Sequence, residues 1–158
     1  MIQIRNFESG DAEAVKQLIG KIMDDEFQEE KAVFSSSDLD AIPQSYGKSG
    51  EAFFIAEDGN RVVGTVGIKR EDDRVALVRR IFVDPQYRNQ KIGYQLLDRA
   101  VEFCEERGYR ELVFKTTSRM TGAIELFKKK GFQSRAKVPM GEVELLKFVL
   151  SLARKSVA

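Results

Sequence analysis

Two cations, Arg88 and Lys91, and a glycine, Gly93, fall within six residues. They follow the apolar run Ile81-Phe82-Val83 and the breaker pair Asp84-Pro85. Ile92, Leu96, Leu97, Ala100, Val101 and Cys104 then recur at helical spacing, which predicts a helix beginning near Lys91 and capped by Gly108. Amides in the first turn of such a helix lack intrahelical acceptors and lie at the positive end of its dipole. That is a ready site for a phosphate or pyrophosphate. Arg88 and Lys91 add charge, and Gly93 allows close backbone approach. Spacing alone does not separate this reading from an ordinary surface turn whose basic residues are solvated.

Other chemistries are excluded by what the chain lacks. With no histidine and one cysteine, Cys104, neither Ser-His-Asp nor Cys-His catalysis is available. Zinc sites built on His or paired Cys are absent too, and no metal is expected. One cysteine allows no internal disulfide, which fits a reducing cytoplasm. The N-terminus carries Arg5 and Asn6 and no long apolar run, so neither a signal peptide nor a membrane span is expected. Basic and acidic residues number 26 and 25, a net charge of +1, which supplies no global field for nucleic acid or an anionic membrane. Gly47-Lys48-Ser49 echoes the end of a P-loop, but Ile42 stands where its first glycine belongs.

The chain reads as a single domain over residues 1–158, with 153–158 as a frayed tail. Ile2 and Ile4 alternate as a first strand, and Asp11 is placed to cap a helix carrying Ala14, Val15, Leu18, Ile19 and Ile22. A short helical piece is expected over 38–42, stopped by Pro43. Three antiparallel strands follow, over about 53–56, 62–68 and 75–83, the first two joined by Asp58-Gly59-Asn60. After the helix at Lys91 come a strand through Leu112 and Phe114, a helix from Thr121 to Gly131, and two final strands. The strand-helix-strand unit across 75–114 predicts one parallel pair. The class is α/β (α+β), a mixed, mostly antiparallel sheet with helices on both faces.

Asp84-Pro85-Gln86-Tyr87-Arg88 followed by Ile92-Gly93 resembles the acetyl-CoA-binding motif of the GNAT superfamily of N-acetyltransferases, (Gln or Arg)-x-x-Gly-x-(Gly or Ala). Arg88 holds its first position, Gly93 its last, and Lys91 replaces the middle glycine. The departure is accommodated if Lys91 has helical backbone. Ala123 to Phe132 resembles the family's later Ala-x-x-x-(Tyr/Phe)-x-x-x-Gly-Phe helix, and Arg61 to Gly67 its central hairpin strand. The resemblance implies a GNAT-like sheet of about six or seven strands with about four helices. It also implies acetyl-CoA as cosubstrate, with the pantetheine arm pairing along Ile81, Phe82 and Val83 in the manner of an added strand. Arg88, Asn89, Gln90, Lys91, Ile92, Gly93 and Tyr94 would wrap the pyrophosphate, and Phe127 would lie at the thiol end. The implied reaction is transfer of acetyl to a primary amine of a small molecule, amino acid or peptide by direct attack. The oligomeric state is left between monomer and homodimer.

Two family positions depart. The glutamate that many members place eleven residues ahead of the motif is Leu77, and the tyrosine of the later helix is Phe127. General acids and bases contribute about 10²–10⁴-fold each. Three readings therefore stay open. Positioning and an oxyanion contact from the amide of Phe82 or Val83 could suffice. A carboxylate from the early chain, Glu26, Glu51 or Asp25, could serve. Or the protein is a weak or silent acyl-CoA-binding module that acts as a sensor or recruits a partner. Strand alternation puts Leu77, Arg79 and Ile81 on one face and Arg80 and Phe82 on the other. One arginine, Arg79 among the catalytic candidates, could hold an acceptor carboxylate, or pair with a nearby acid. Lys128-Lys129-Lys130 suits a last helical turn or the adenosine 3′-phosphate. Tyr46 either lines the acceptor pocket or packs on the sheet, and Cys104 reads as core.

Overall fold

Seven strands and four α-helices make up the described part of the chain, residues 1–32 and 35–152 of the computed structural model. The tail expected at 153–158 lies outside the described residues. The strands are β1 (Ile2–Asn6), β2 (Ala52–Asp58), β3 (Arg61–Arg70), β4 (Val75–Val83), β5 (Glu111–Thr117), β6 (Gln133–Met140) and β7 (Val143–Ser151). The helices are α1 (Ala12–Glu26), α2 (Ile42–Ser45), α3 (Ile92–Glu106) and α4 (Thr121–Lys129). The strands form one sheet in the order β1-β2-β3-β4-β5-β7-β6. Every neighbouring pair is antiparallel except β4–β5, which is parallel, as a strand-helix-strand crossover requires.

Each face has its own apolar cluster. Phe54, Val66, Ile68, Ala76, Val78, Phe114 and Phe148 pack beneath α3 and α4. Helix α3 turns Ile92, Leu96, Leu97, Ala100 and Cys104 inward, and Cys104 is fully buried. Burial of each such Leu or Ile contributes about 1.5–3 kcal/mol. On the opposite face Phe53 and Ile55 meet Val15, Ile19 and Met23 of α1, Leu39, Ile42 and Tyr46. Gly67 makes room there, since a Cβ would come within 2.8 Å of the Tyr46 ring.

Three local expectations are corrected. Asp11 holds the N-cap position of α1, but its carboxylate bonds no amide of that helix and accepts instead from Arg5 and from the Glu8 amide. Pro43 lies in the first turn of α2 rather than ending a helix, because a missing N–H matters least there. The segment before it is a 3-10 turn, Ser37–Asp40.

The third correction shapes the site. Simple alternation along β4 fails because the β3–β4 register shifts between Thr65 and Gly67, with Arg80 at φ 56°. An extra residue on one strand bends it and reverses its faces beyond that point. Arg79 opposes Gly67 and so faces α1, while Ile81 and Val83 join the α3 cluster and Phe82 the α1 cluster. Leu77, Arg79, Arg80 and Phe82 therefore share the α1 face, and Ile81 does not.

At the far edge, β6 pairs only with β7 and every one of its residues is exposed. A bulge between Ser134 and Ala136, the charges of Arg135 and Lys137, and Pro139 make this edge a poor template for another strand.

Candidate active site

The last β4–β5 pair is Val78 with Phe114, and beyond it the two parallel strands part. β4 continues five residues to Val83 on β3 alone, and β5 continues to Thr117 on β7 alone. The bulge at Arg80 drives the split by swinging the end of β4 away from β5. Between them opens a groove of about 260 Å³, lined chiefly by Leu77, Arg79, Ile81 and Phe82 from β4 and Val113, Lys115 and Thr116 from β5. Met23 of α1 and Met120 and Ala123 near the start of α4 close its ends.

Backbone groups of β4 that would have met β5 are open to this groove. The Asp84 amide donates to the Val63 carbonyl at 2.8 Å, so alternation commits Phe82 to β3 and turns Ile81 and Val83 toward the split. This selects among the expected pairing residues. Ile81 and Val83 can bond an extended amide-containing arm, and Phe82 contributes only its side chain. The same parity removes the Phe82 amide as an oxyanion donor and leaves that of Val83.

The loop after β4 is pinned at several points. Asp84 accepts from the Gln86 amide and from Arg61, and the Tyr87 hydroxyl donates to Asp58 at 2.9 Å. Helix α3 then starts at Ile92, and its first helical bond joins the Gln95 amide to Lys91 O at 3.0 Å. The amides of Ile92, Gly93 and Tyr94 thus have no intrahelical acceptor. A Cβ on Gly93 would meet Leu126 at 3.3 Å, so this glycine lets α3 seat tightly against α4. Arg88, Asn89, Gln90 and Lys91 are exposed around that helix start.

Lys91 is not helical. Its φ and ψ are 64° and 19°, the left-handed region, where a side chain is disfavoured by about 1–2 kcal/mol. It sits in the backbone conformation for which the motif's middle glycine is suited. Asn89, at φ 65°, shares that region more comfortably. Arg80, Asn89 and Lys91 are the non-glycine residues of positive φ among the described residues, and all three border the groove or its loop. Strain concentrated this way marks functional sites.

The carboxylates anticipated as bases are elsewhere. Glu26 grips Arg88 in a two-pronged pair at 2.7 and 2.8 Å, while Arg88 Nε also donates to the Val83 carbonyl at 3.2 Å. Glu51 is buried at the start of β2 and accepts from the amides of Lys48 and Arg70. It borders a separate charged depression over the β3–β4 hairpin, not the split. Asp25 is exposed at the end of α1. Phe127, expected at the thiol end, is wholly buried, stacked on Phe114 at 3.7 Å between ring centroids, and is no part of the groove lining. Lacking a hydroxyl to satisfy, its ring packs as core.

Arg80 is explained by a buried acid. Its guanidinium donates twice to Asp38, whose carboxylate also accepts from Tyr46 at 2.6 Å. Burial works to raise the Asp38 carboxyl, but the bonds from Arg80 and Tyr46 outweigh it and hold it below the ordinary range. Burial, then the bond to Asp38, pushes the Tyr46 phenol well up. Tyr46 thus packs on the sheet and locks Arg80. Arg79 lines the groove beside this triad, with no acid bonded to it among the described residues.

Four residues escaped the sequence reading. Lys115 and Thr116 line the groove from β5, and the Thr116 hydroxyl turns to Met120 Sδ at 3.1 Å. Glu30, in the 3-10 turn Gln28–Ala32, is 1% exposed, and neither of its oxygens accepts a hydrogen bond among the described residues. Arg119 Nε approaches one of them to 3.2 Å but off the hydrogen-bonding direction. The buried Thr117 hydroxyl is similarly unpartnered. No spacing or motif signals any of these.

The family model described as "Acetyltransferase (GNAT) family" matches residues 19–132. N-acetyltransferase 8 of Homo sapiens is 31% identical over 103 residues, which cover 61% of this chain and 45% of that protein. The chain thus spans about half the length of the curated relatives it matches. In fold it is similar to a GNAT-family acetyltransferase of Staphylococcus aureus Mu50, with a TM-score of 0.83 at 24% identity over 97% of this chain and 100% of that one. It is also similar to a Salmonella typhimurium protein solved with its cofactor acetyl-CoA, at TM-score 0.79 and 19% identity over 99% and 96% of the two chains. The split sheet, the loop from Arg88 to Gly93 and the family match converge: the chain belongs to the GNAT family of acetyltransferases.

Proposed function

We propose that this protein transfers an acetyl group from acetyl-CoA to a primary amine of a small molecule, amino acid or peptide. The observation that carries the reading is the open edge of Ile81 and Val83 leading directly into the unpartnered amides of Ile92, Gly93 and Tyr94. An amide-rich arm ending in a pyrophosphate matches that sequence of groups in order. Arg88 and Lys91 would hold the phosphates. The acetyl-CoA carried by the Salmonella typhimurium neighbour supports the assignment of cosubstrate.

No carboxylate and no tyrosine line the groove among the described residues. The chemistry therefore rests on placement and on electrostatics. The ammonium releases one proton to water. The neutral nitrogen then attacks the thioester carbonyl while the Val83 amide stabilises the developing oxyanion. As the C–S bond breaks, the second nitrogen proton passes to the departing sulfur, giving amide and thiol. Two cations at the groove, Arg79 and Lys115, disfavour a charged amine beside them and so shift it toward its nucleophilic form.

Calorimetric titration with acetyl-CoA, followed by thiol release across an amine panel, tests this reading. Binding with turnover is expected. Absence of binding would overturn it, and binding without turnover of any amine would favour the silent acyl-CoA-binding module.

A further inference from the structure

On the α1 face of the sheet three cations lie side by side on neighbouring strands. Arg79 follows Val78 and Lys115 follows Phe114, the last paired residues before the strands part, so the two flank the mouth of the split, and Lys115 pairs directly with Lys147 of β7. Arg79 faces α1 because it opposes Gly67, and Lys115 does because it lies two residues beyond Val113, the partner of Leu77. Arg79 and Lys115 line the groove itself. Like charges directly opposite one another weaken a sheet. Most carboxylates of the elements packed on this face are engaged elsewhere: Asp38 with Arg80, Glu26 with Arg88, Asp24 with Lys31, Asp40 with Lys16, Glu29 and Glu30 with Arg119, and Glu13 with Gln17, while Asp25 is exposed at the end of α1. Among the described residues no carboxylate lies within ion-pair distance of Arg79, Lys115 or Lys147.

We infer that the row Arg79–Lys115–Lys147 is an anion site, and that the acceptor is an amine carrying a carboxylate, seated on the α1 face with its nitrogen directed into the split. A bare ammonium would be repelled by this row. A carboxylate on the same molecule reverses the sign of the encounter and leaves the amine next to Arg79, where its proton is lost more easily. Arg79 offers a planar fork suited to a carboxylate, and the lysines add charge without fixed geometry. The inference rests on the acetyltransfer reading and names its substrate class. The carboxylate can belong to a free amino acid or to an acidic residue near a peptide N-terminus.

Matched acceptors separate these sources and test the site. Glycine is compared with glycinamide, and the tripeptide amide Glu-Ala-Ala with Gln-Ala-Ala, following thiol release from acetyl-CoA. The anionic member of at least one pair is expected to be favoured in kcat/KM by about tenfold or more, the worth of one charge-assisted contact. Arg79→Met and Lys115→Met should erase that preference mainly through KM. Lys137→Met, which removes the same charge from the outer edge strand, should preserve it. Equal turnover within both pairs, or equal losses on both members in Arg79→Met, would overturn the inference while leaving acetyl-CoA binding intact. If no amine is acetylated, N-acetylglycine and N-acetylglycinamide are titrated into the CoA-loaded protein. Tighter binding of the acid, lost in Arg79→Met, supports the site, and equal or no binding refutes it. A protein that does not bind acetyl-CoA refutes the parent reading and this one together.

Discussion

Arg80 reaches across the α1 face to bond Asp38 through both its Nε and an Nη, and in doing so holds the one strand residue whose left-handed backbone parts β4 from β5. The Thr65 hydroxyl donates to the Arg80 carbonyl at 2.6 Å and seals the bulge from the other side. Side chains of Arg80 and Asp38 are 7% and 10% exposed. Removing one partner of such a pair leaves the other charge buried, at about 3–5 kcal/mol. Asp38→Asn should lower stability toward that range in urea unfolding and weaken acetyl-CoA binding as the split relaxes. A variant that loses stability while binding CoA normally would disconnect the bulge from the groove.

The same pair sets a pH dependence of known sign. The Asp38 carboxyl is held below its ordinary value, so its contribution is fully present above about pH 4, the unfolded value, and is lost as pH falls through the folded one. Tyr46 runs the other way: its phenol is raised, so its contribution holds below about pH 10 and fades as pH rises through the folded value. Thermal unfolding followed against pH should show the acid limb flattened in Asp38→Asn and the alkaline limb altered in Tyr46→Phe.

Lys91 occupies backbone that a glycine would hold without strain. Lys91→Gly should stabilise the fold by about 1 kcal/mol, whereas Lys91→Met, which keeps the strain and drops the charge, should not. If both variants lose CoA affinity equally, the lysine is kept for its charge. If only Lys91→Met loses it, the backbone matters more.

Glu26 presents to Arg88 the same two-oxygen geometry a phosphate would. Both side chains are about a third exposed, so the pair contributes at most about 1 kcal/mol. Glu26→Gln should therefore leave the melting temperature nearly unchanged and tighten CoA binding a few-fold, most visibly at low salt. Weaker binding would mean that Glu26 instead orients Arg88 for the phosphates.

Among the described residues Glu30 is buried without a hydrogen bond to either oxygen, an arrangement that disfavours folding. Glu30→Met should raise stability in denaturant, since Arg119 is exposed enough to be rehydrated. If acetylation falls while stability rises, the carboxylate is held for use at the acceptor side.

The sheet, its single parallel pair and the helix start at Ile92 were all legible, because period and turn residues report local structure directly. The Arg79-Arg80 pair shows where that legibility ends. A bulge has no period of its own, so alternation assigned Ile81 and Arg79 to one face when Arg80 separates them. Helical backbone at Lys91 is only the condition on which the sequence accommodates its loss of the motif glycine, and the left-handed turn found there depends on how β4 arrives. Leu77 and Phe127 left the proton transfers without a side chain, and the carboxylates proposed in their place proved engaged in Glu26–Arg88 and in the Glu51 turn. Which acid pairs with which cation depends on strands brought together from distant segments. The same long-range pairing hid the alignment of Arg79, Lys115 and Lys147.

Cys104 gives the core of α3 a practical use. It is the chain's one thiol, fully buried, and burial pushes it up to about 12. A disulfide reagent added to the native protein would therefore read any CoA that the proposed reaction releases without a protein background. The same reagent applied in denaturant would count one sulfur for each molecule that opens. One chromophore would thus follow both catalysis and unfolding in every variant described above.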